Sequence, residues 1–482
     1  MRQLILSSTI VLTLFFSYFS FTAYWLPHQA GPDYHFSRAA ANFYYDHERL
    51  VRLPQDEDKL VLSAYGNSRL LRPPFSFYFA SIIAKLPGLD SLPRYYAYRV
   101  SSAFVGALTL AIVFAGLLLF FNSYYLAWLG TLSIGLLPQY TFTVSYLNDD
   151  TGAFLAVSLV TFAMILIARN VSSLSDHFAR GAGMIKVTEM LQTRHIIFFG
   201  LVIGFTIINK KSAWIFVASA ILFYVVYILS FDRHFFKRHI QLSLSCLIAG
   251  GWWVVHNMLV YGWNDPLLSK AITDLGERFA RIDLSTYGFQ ARGVGMIHLL
   301  VGNYQDFIGA TYKAVVGHLD WLKLRVGSLQ YDYYLWIIIA IVGNFLWLLA
   351  ITFKKILQAW KQANWSLLWG RDRQLPFEWI LYISLVLQIL LYTWTNVHND
   401  IQIQGKYLIP IALPMLLLAL QFFVRAKAFM LSRGWQLNAS VCRTMAVLIM
   451  LSPILVHIDA LVDHVIPFYW PDVTVPVLSR LF

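Results

Sequence analysis

The residues of this sequence best suited to chemistry are carboxylates at the ends of apolar segments. Asp33 follows the first apolar segment by about seven residues, with His35 two positions on, and Asn148-Asp149-Asp150-Thr151 breaks into apolar sequence abruptly. Acidic side chains at a bilayer edge are expensive to place, so they are functional candidates from the outset. A carboxylate there can take a proton from a hydroxyl or hold a divalent cation such as Mg or Mn, with Asp33 and Asp150 as the metal candidates. Each acid also has a plainer reading. Asp ahead of a helical pattern is a common N-cap, and an acid at a helix start suits the helix dipole. One acid is enough for that. Two adjacent ones repel, so the sequence predicts a cation opposite Asp149 and Asp150.

Cations come from three other places. Lys210 and Lys211 sit in a short polar break, Asn209-Lys210-Lys211-Ser212, inside one long apolar stretch. Two lysines at mid-bilayer would be very costly, which predicts a hairpin at this point. Lysine binds phosphate as a point charge, although snorkelling to lipid phosphates would also explain the pair. Gln404-Gly405-Lys406-Tyr407 comes shortly after His398-Asn399-Asp400. There Gly405 permits a close backbone approach and Lys406 adds a cation. Arg72 precedes Pro73-Pro74-Phe75, a helix-start pattern, and Arg292 is a weaker candidate in a long loop. Acids from two segments and cations from three would thus meet at one membrane face. An acid would activate a hydroxyl, and the cations would hold an anionic leaving group as its charge develops.

The elements that must position these residues are membrane spans. Hydrophobic residues make up 58% of the 482 and charged residues only 13%, against about 25% charged in soluble domains. A span needs roughly 20 apolar residues. Eleven segments qualify or nearly so, about 3–26, 99–121, 124–144, 151–168, 196–209, 212–231, 240–260, 333–353, 377–395, 407–424 and 440–458. The expected fold is an all-α polytopic membrane protein with 1–482 as a single membrane domain, a retained first anchor and no separate soluble domain. The apolar run 73–86 is too short to cross and is expected at the interface or re-entering. Two long outer segments, about 27–98 and 261–332, connect spans, and the first holds an expected interfacial helix near Ser37 to Val51.

Charge sets the orientation. With the N-terminus cytoplasmic, inner segments hold 17 basic residues, Arg2, Arg169, Arg180, Lys186, Arg194, Arg233, Lys237, Arg238, Lys354, Lys355, Lys361, Arg371, Arg373, Arg425, Lys427, Arg433 and Arg443, against five acids, Asp176, Glu189, Asp232, Asp372 and Glu378. The outer side then balances, so the whole net charge of +12 falls inside. That obeys the positive-inside rule and gives no reason to expect nucleic-acid binding. Cys246 falls within a span and Cys442 near an inner end, which argues against a disulfide.

Taken in order, these motifs resemble the GT-C superfamily of polyprenyl-phosphate-sugar-dependent glycosyltransferases, most of all the relatives of protein O-mannosyltransferases and of the lipid A aminoarabinose transferase. The resemblance runs through Asp33 and His35, Arg72-Pro73-Pro74-Phe75, Arg99, Pro138-Gln139 to Asp150, Lys210-Lys211, Trp252-Trp253 with Asn257 and Tyr261-Gly262, and Gln404-Gly405-Lys406-Tyr407 with Pro410. It implies an inverting transferase in a bacterial inner membrane, with its site on the extracytoplasmic face. The donor would be a polyprenyl-phosphate sugar reached from the lipid, and the acceptor a hydroxyl of protein, lipid or glycan. Asp33 would be the general base with His35 supporting it, and Asp149 or Asp150 would orient the acceptor or a divalent cation. Lys210, Lys211, Lys406 and Arg72 would bind the donor phosphate. Two departures stand out: Tyr34 occupies the place where relatives often carry a second acid, and Lys406 replaces an arginine, losing bidentate phosphate geometry. The larger outer C-terminal domain of some relatives is not expected here. Two other readings stand beside it: a transporter or flippase for a lipid-linked glycan, which would share the cationic sites, and a non-enzymatic subunit or a glycan ligase or polymerase using a diphosphate-linked donor.

Overall fold

The computed structural model describes residues 2–179, 192–229, 235–283, 286–320, 322–363, 374–435 and 438–472. Arg180, Lys186, Glu189, Asp232, Arg233, Arg371, Asp372 and Arg373, the end of the segment 212–231 and the last residues of the C-terminal tail lie outside them. Among the described residues eight helices are long and apolar enough to cross a membrane: Arg2–Trp25, Arg94–Phe121, Asp150–Arg169, Phe236–Tyr261, Ser328–Lys361, Gln374–His398, Ile409–Ser432 and Ser440–Tyr469. Thr193–Ile207 and Lys211–Tyr227 are shorter apolar helices. The chain is an all-α polytopic membrane protein. Among the described residues a short hairpin pairs His318–Leu319 with Leu324–Arg325.

The expected span 124–144 is not one helix. It divides into Tyr124–Gly135 and Pro138–Val144. Proline has no N–H to donate and suits the first position of a new helix, so Pro138 restarts the chain instead of continuing it. The carbonyls freed by the break find other donors. Thr141 Oγ1 donates to the Gly135 carbonyl at 3.0 Å, and His457 Nδ1 donates to that of Leu136 at 2.7 Å. The other His457 nitrogen, Nε2, accepts from the Tyr18 hydroxyl.

Arg94–Phe121 is the central helix. Arg2–Trp25 and Asp150–Ala179 pack on it, and its inward face is small and apolar at Ala103, Ala107, Leu110 and Phe114. Near its start, Arg99 is buried and takes the end of the first helix. Its guanidinium donates to the carbonyls of Ala23, Leu26, Pro27 and His28 at 2.6–3.0 Å. Ala23 is in the last turn of that helix, where carbonyls lack intrahelical partners, and Leu26, Pro27 and His28 follow it directly. One buried arginine therefore fixes how the chain leaves the first span toward Asp33.

A second, smaller core lies under the segments joining the spans at this end. Ala40, Tyr44, Leu71, Phe77, Tyr98 and Trp253 belong to it. It unites the helix Tyr34–His47, the nine-residue helix Phe75–Ile83 and the end of Trp252–Tyr261. At nine residues, Phe75–Ile83 is too short to cross a bilayer. Asn257 Nδ2 donates to the Pro266 carbonyl at 3.0 Å and the Tyr261 hydroxyl to that of Val51 at 2.8 Å. These bonds tie the two long connecting segments to each other.

Candidate active site

Five separate pieces of chain meet where the spans Arg2–Trp25, Asp150–Arg169, Gln374–His398 and Ile409–Ser432 end. Two glycines let them come close. Gly31 has φ +104°, and a Cβ on it would lie 2.6 Å from the ring of Tyr146, so the first loop rests on the second. A Cβ on Gly405 would stand 2.1 Å from the backbone of Ala314, which brings the Lys406 segment against the helix Phe307–Gly317. The Phe75 N–H donates to the Ile208 carbonyl at 3.1 Å and sets the Pro73-Pro74 turn beside the Lys210 hairpin.

The capping roles are filled without the aspartates. Asn148 Oδ1 accepts from the N–H groups of Asp150 and Thr151 at 2.8 and 3.1 Å. Asp33 precedes the helix Tyr34–His47 in a left-handed conformation, φ 59°, with no side-chain capping bond. All three carboxylates are therefore available to face cations. Asp149 Oδ2 takes Arg72 Nη1 at 2.9 Å and Arg69 Nη1 at 3.1 Å, while its Oδ1 takes Lys210 Nζ at 3.1 Å. The other arm of Arg69, Nη2, reaches Asp33 Oδ2 at 2.5 Å. Asp150 Oδ1 takes Lys210 Nζ at 2.7 Å. Lys406 Nζ lies 3.7 Å from Asp150 Oδ2, an ion pair too long for a hydrogen bond, and that oxygen has no hydrogen-bond donor among the described residues. Both lysines also lie in cation–π range of the Tyr407 ring, with Nζ 4.7 and 5.5 Å from its centroid. Four cations thus face three carboxylates, and every member except Asp33 and Arg72 has a side chain less than 15% exposed.

Burial and charge act on these groups in opposite directions. Burial alone would raise the Asp149 carboxyl, but Lys210, Arg69 and Arg72 outweigh it and hold the group well below the usual carboxylate range. Lys210 is buried too, yet Asp149 and Asp150 together raise its ammonium. For Lys406 burial wins over Asp150, and its ammonium falls below the usual lysine range. Burial pushes the neighbouring Tyr407 hydroxyl up to about 12.

Two cavities flank the cluster. The first, about 270 Å³, is lined by Asp33, Phe36, Tyr65, Arg69, Asp400 and Gln404 among others. In it Asp400 Oδ2 accepts from the Tyr65 hydroxyl at 2.6 Å and from Gln402 Nε2 at 2.9 Å. The second, about 440 Å³, is lined by Asp149, Lys210, Lys211, Gln388, Asn396 and Tyr407 among others. Asn67, Arg72 and Gln402 line both. An apolar groove of about 340 Å³, lined by Leu137, Leu300, Phe307, Ile337 and Met415 among others, shares Tyr392 with the second cavity.

The structure brings together Asp33, Asp149, Asp150, Arg72, Lys210 and Lys406. Two of the expected residues stand apart. His35 is exposed, its ring lies on Phe36 with centroids 3.8 Å apart, and it has no hydrogen-bond partner among the described residues. It makes no bond to Asp33 among the described residues, so the contact expected of a supporting residue is not present. Lys211 turns from the acids toward the Leu267 carbonyl at 3.4 Å and the Trp214 ring at 5.8 Å, although it still lines the second cavity. Arg292 lies over the Phe289 ring and joins neither cavity.

Arg69 is the main residue that sequence reading missed. It opens the turn Arg69–Leu71, where Ser68 Oγ accepts from the Leu70 N–H at 3.4 Å. Leu70 and Leu71 sink into the smaller core, which leaves the flanking arginines to face the acids. The signal was the apolar pair between two arginines three positions apart.

The site does not suit the divalent cation expected at Asp33 and Asp150. Asp33 is taken by Arg69, and Asp150 lies between Lys210 and Lys406. Among the described residues no three His, Cys, Asp or Glu groups gather as a metal site would need. The local charge is already positive, and a hard dication would be repelled by the ammonium groups.

No family model matches the sequence, and no curated protein matches it. In structure the chain is similar to ArnT from Cupriavidus metallidurans in the apo state, with a TM-score of 0.45, 13% identity and coverage of 86% of this chain and 59% of that one. It is similar also to ArnT bound to undecaprenyl phosphate, with a TM-score of 0.40, 14% identity and coverage of 96% and 71%. A third match is the archaeal oligosaccharyltransferase AglB from Archaeoglobus fulgidus in complex with an inhibitory peptide and a dolichol-phosphate, with a TM-score of 0.44, 13% identity and coverage of 94% and 55%. The chain thus spans under three fifths of the apo ArnT and AglB chains.

Proposed function

We propose that this chain is an inverting glycosyltransferase. It moves a sugar from a polyprenyl-phosphate donor to a hydroxyl acceptor at the extracytoplasmic face of a bacterial inner membrane, with 1–482 acting as one unit. The observation that carries this reading is the unequal charge cluster, four cations against three acids, set between two cavities. A surplus of fixed positive charge in a buried site awaits an anion. The ordered motifs of the sequence add a second, independent support.

The chemistry follows from the charges. The donor phosphate is a diester carrying one negative charge, and the lipid phosphate that leaves is a monoester carrying up to two. Lys210, Lys406 and Arg72 therefore hold the leaving group more tightly than the donor, which lowers the barrier rather than merely binding substrate. The acceptor oxygen attacks the anomeric carbon from the face opposite the phosphate. The bond from that carbon to the phosphate oxygen breaks, with the electron pair leaving on the phosphate. The acceptor's proton passes to Asp33, whose Oδ1 has no protein donor among the described residues. In this reading the phosphate enters the second cavity beside Lys210 and Lys211, and the apolar groove sharing Tyr392 takes the first prenyl units. The acceptor enters the first cavity, where the carboxylates Asp33 and Asp400 are balanced by Arg69 and Arg72.

The test is sugar transfer by purified protein from synthetic polyprenyl-phosphate sugars to a panel of peptide, lipid and glycan acceptors. Asp33→Asn is expected to lower turnover about 100- to 10,000-fold, the range for loss of a general base. Equal turnover would remove Asp33 from the mechanism. Release of a lipid diphosphate instead of a monophosphate would move the chain to the ligase or polymerase class.

A further inference from the structure

We propose that Gln388 reads a hydroxyl or N–H group on the donor's sugar ring. This rests on the glycosyltransferase reading and adds a residue that selects the sugar. The helix Gln374–His398 and the residue that follows it line the second cavity with Gln388, Tyr392, Thr395, Asn396 and Asn399. Their spacing puts them on one helical face. Two of the five, Thr395 and Asn396, are satisfied locally. Thr395 Oγ1 donates to the Leu391 carbonyl at 2.9 Å. Asn396 donates to the Tyr392 carbonyl at 2.9 Å and accepts from the Gln402 N–H at 2.7 Å.

Gln388 differs from these. It is 1% exposed, its Nε2 donates to the Tyr407 carbonyl at 3.1 Å, and its Oε1 has no partner among the described residues. The amide cannot be turned round to relieve this, because that would set oxygen against the Tyr407 carbonyl oxygen. An unpaired buried acceptor is costly, and the second cavity, which Gln388 lines, is where a donor for it can enter. With the phosphate at Lys210 and Arg72 and the prenyl units in the apolar groove beyond Tyr392, the sugar is the part of the donor left for the polar residues of this helix. A site built to accept a hydrogen bond from a substrate discriminates strongly against analogues that lack the donor.

The experiment measures binding of short-chain polyprenyl phosphates to the purified full chain in detergent. The ligands are the sugar-free lipid phosphate, versions carrying glucose, mannose, galactose, arabinose or N-acetylglucosamine, and the monodeoxy forms of the tightest binder. In the wild type, removing one particular hydroxyl is expected to weaken binding about tenfold, the effect of leaving one buried partner unpaired. In Gln388→Met the parent and that deoxy form should bind alike, with the sugar-free lipid phosphate bound as in the wild type. The proposal is overturned if no deoxy form binds the wild type more weakly, or if the discrimination survives in Gln388→Met. The wild-type series needs no substitution, so it decides the matter even if the variant does not fold. Failure of the wild type to bind any lipid phosphate would overturn the donor reading itself, and this proposal with it.

Discussion

Two ion networks sit at opposite ends of the helical bundle, and they are built differently. Toward the end away from the cavities, Arg425 meets Glu378 with paired bonds, Nη1 to Oε2 and Nη2 to Oε1, both 2.8 Å. Asn344 completes it by accepting from Arg425 Nη1 at 2.7 Å and donating to Glu378 Oε2 at 3.2 Å. One charge meets one charge, the geometry is the bidentate fork that arginine favours, and the residues line none of the cavities described above. The Asp33–Asp149–Asp150 cluster is unbalanced, leaves Asp150 Oδ2 without a donor among the described residues and borders open space. A closed pair holds helices together. An open cluster keeps unspent charge for a ligand, and the local stability it forgoes is what binding can recover.

This contrast can be broken in several ways. The largest effect is expected at the closed pair. Glu378→Gln leaves the Arg425 guanidinium, 14% exposed, uncompensated and should destabilise the protein by about 3 kcal/mol in denaturant unfolding, the lower end of the range for breaking a buried pair. Sugar transfer per folded molecule should not change, and a loss of transfer in the folded variant would erase the distinction between the two networks. Next, Lys210→Met should lower turnover about 100-fold, comparable to removing one preorganised donor from a developing anion. A variant that is merely unstable but turns over normally when folded would make Lys210 structural. A subtler difference separates the two lysines. Lys406 is lowered by burial, so its charge is full at low pH and is lost as pH rises, before an ordinary lysine near pH 10.4 would lose its own. Binding of lipid phosphate should therefore weaken on the alkaline side, and Lys406→Arg, which stays charged, should remove that decline. An unchanged alkaline profile in Lys406→Arg would exclude Lys406 as its source. The smallest effect is expected from a chelator. Treatment with EDTA should leave transfer at the untreated rate, and restoration of a lost activity by Mg or Mn would contradict the charge argument against a metal.

Much of the site was legible because charge at a membrane is expensive and therefore sparse. Asp33, Asp149, Asp150, Lys210 and Lys406 stand out from apolar flanks, and the doubled acid itself called for a cation opposite. Arg69 was harder to find, since it lies in a polar connecting segment where arginine is unremarkable and its one signal is the apolar pair that separates it from Arg72. Its role depends on Leu70 and Leu71 burying themselves in the smaller core. His35 looked like a partner because it is two residues from Asp33, yet on the helix that begins at Tyr34 it is exposed and makes no bond to Asp33 among the described residues. The segment 124–144 read as one span because hydropathy averages over a window and does not register a break at Pro138 whose carbonyls are satisfied from elsewhere.

The sequence by itself determined that this chain crosses a membrane many times and which charged residues lie at the ends of its spans. Transfer of apolar residues out of water, and the penalty for charge in hydrocarbon, are local properties of composition. The tertiary structure alone decided which of those charges meet. Pairing of Asp149 with Arg69, Arg72 and Lys210, and the orphaned oxygen of Gln388, depend on distances between residues far apart in the chain. Those distances are fixed by packing and by contacts such as Gly31 on Tyr146, which no local property of the sequence encodes.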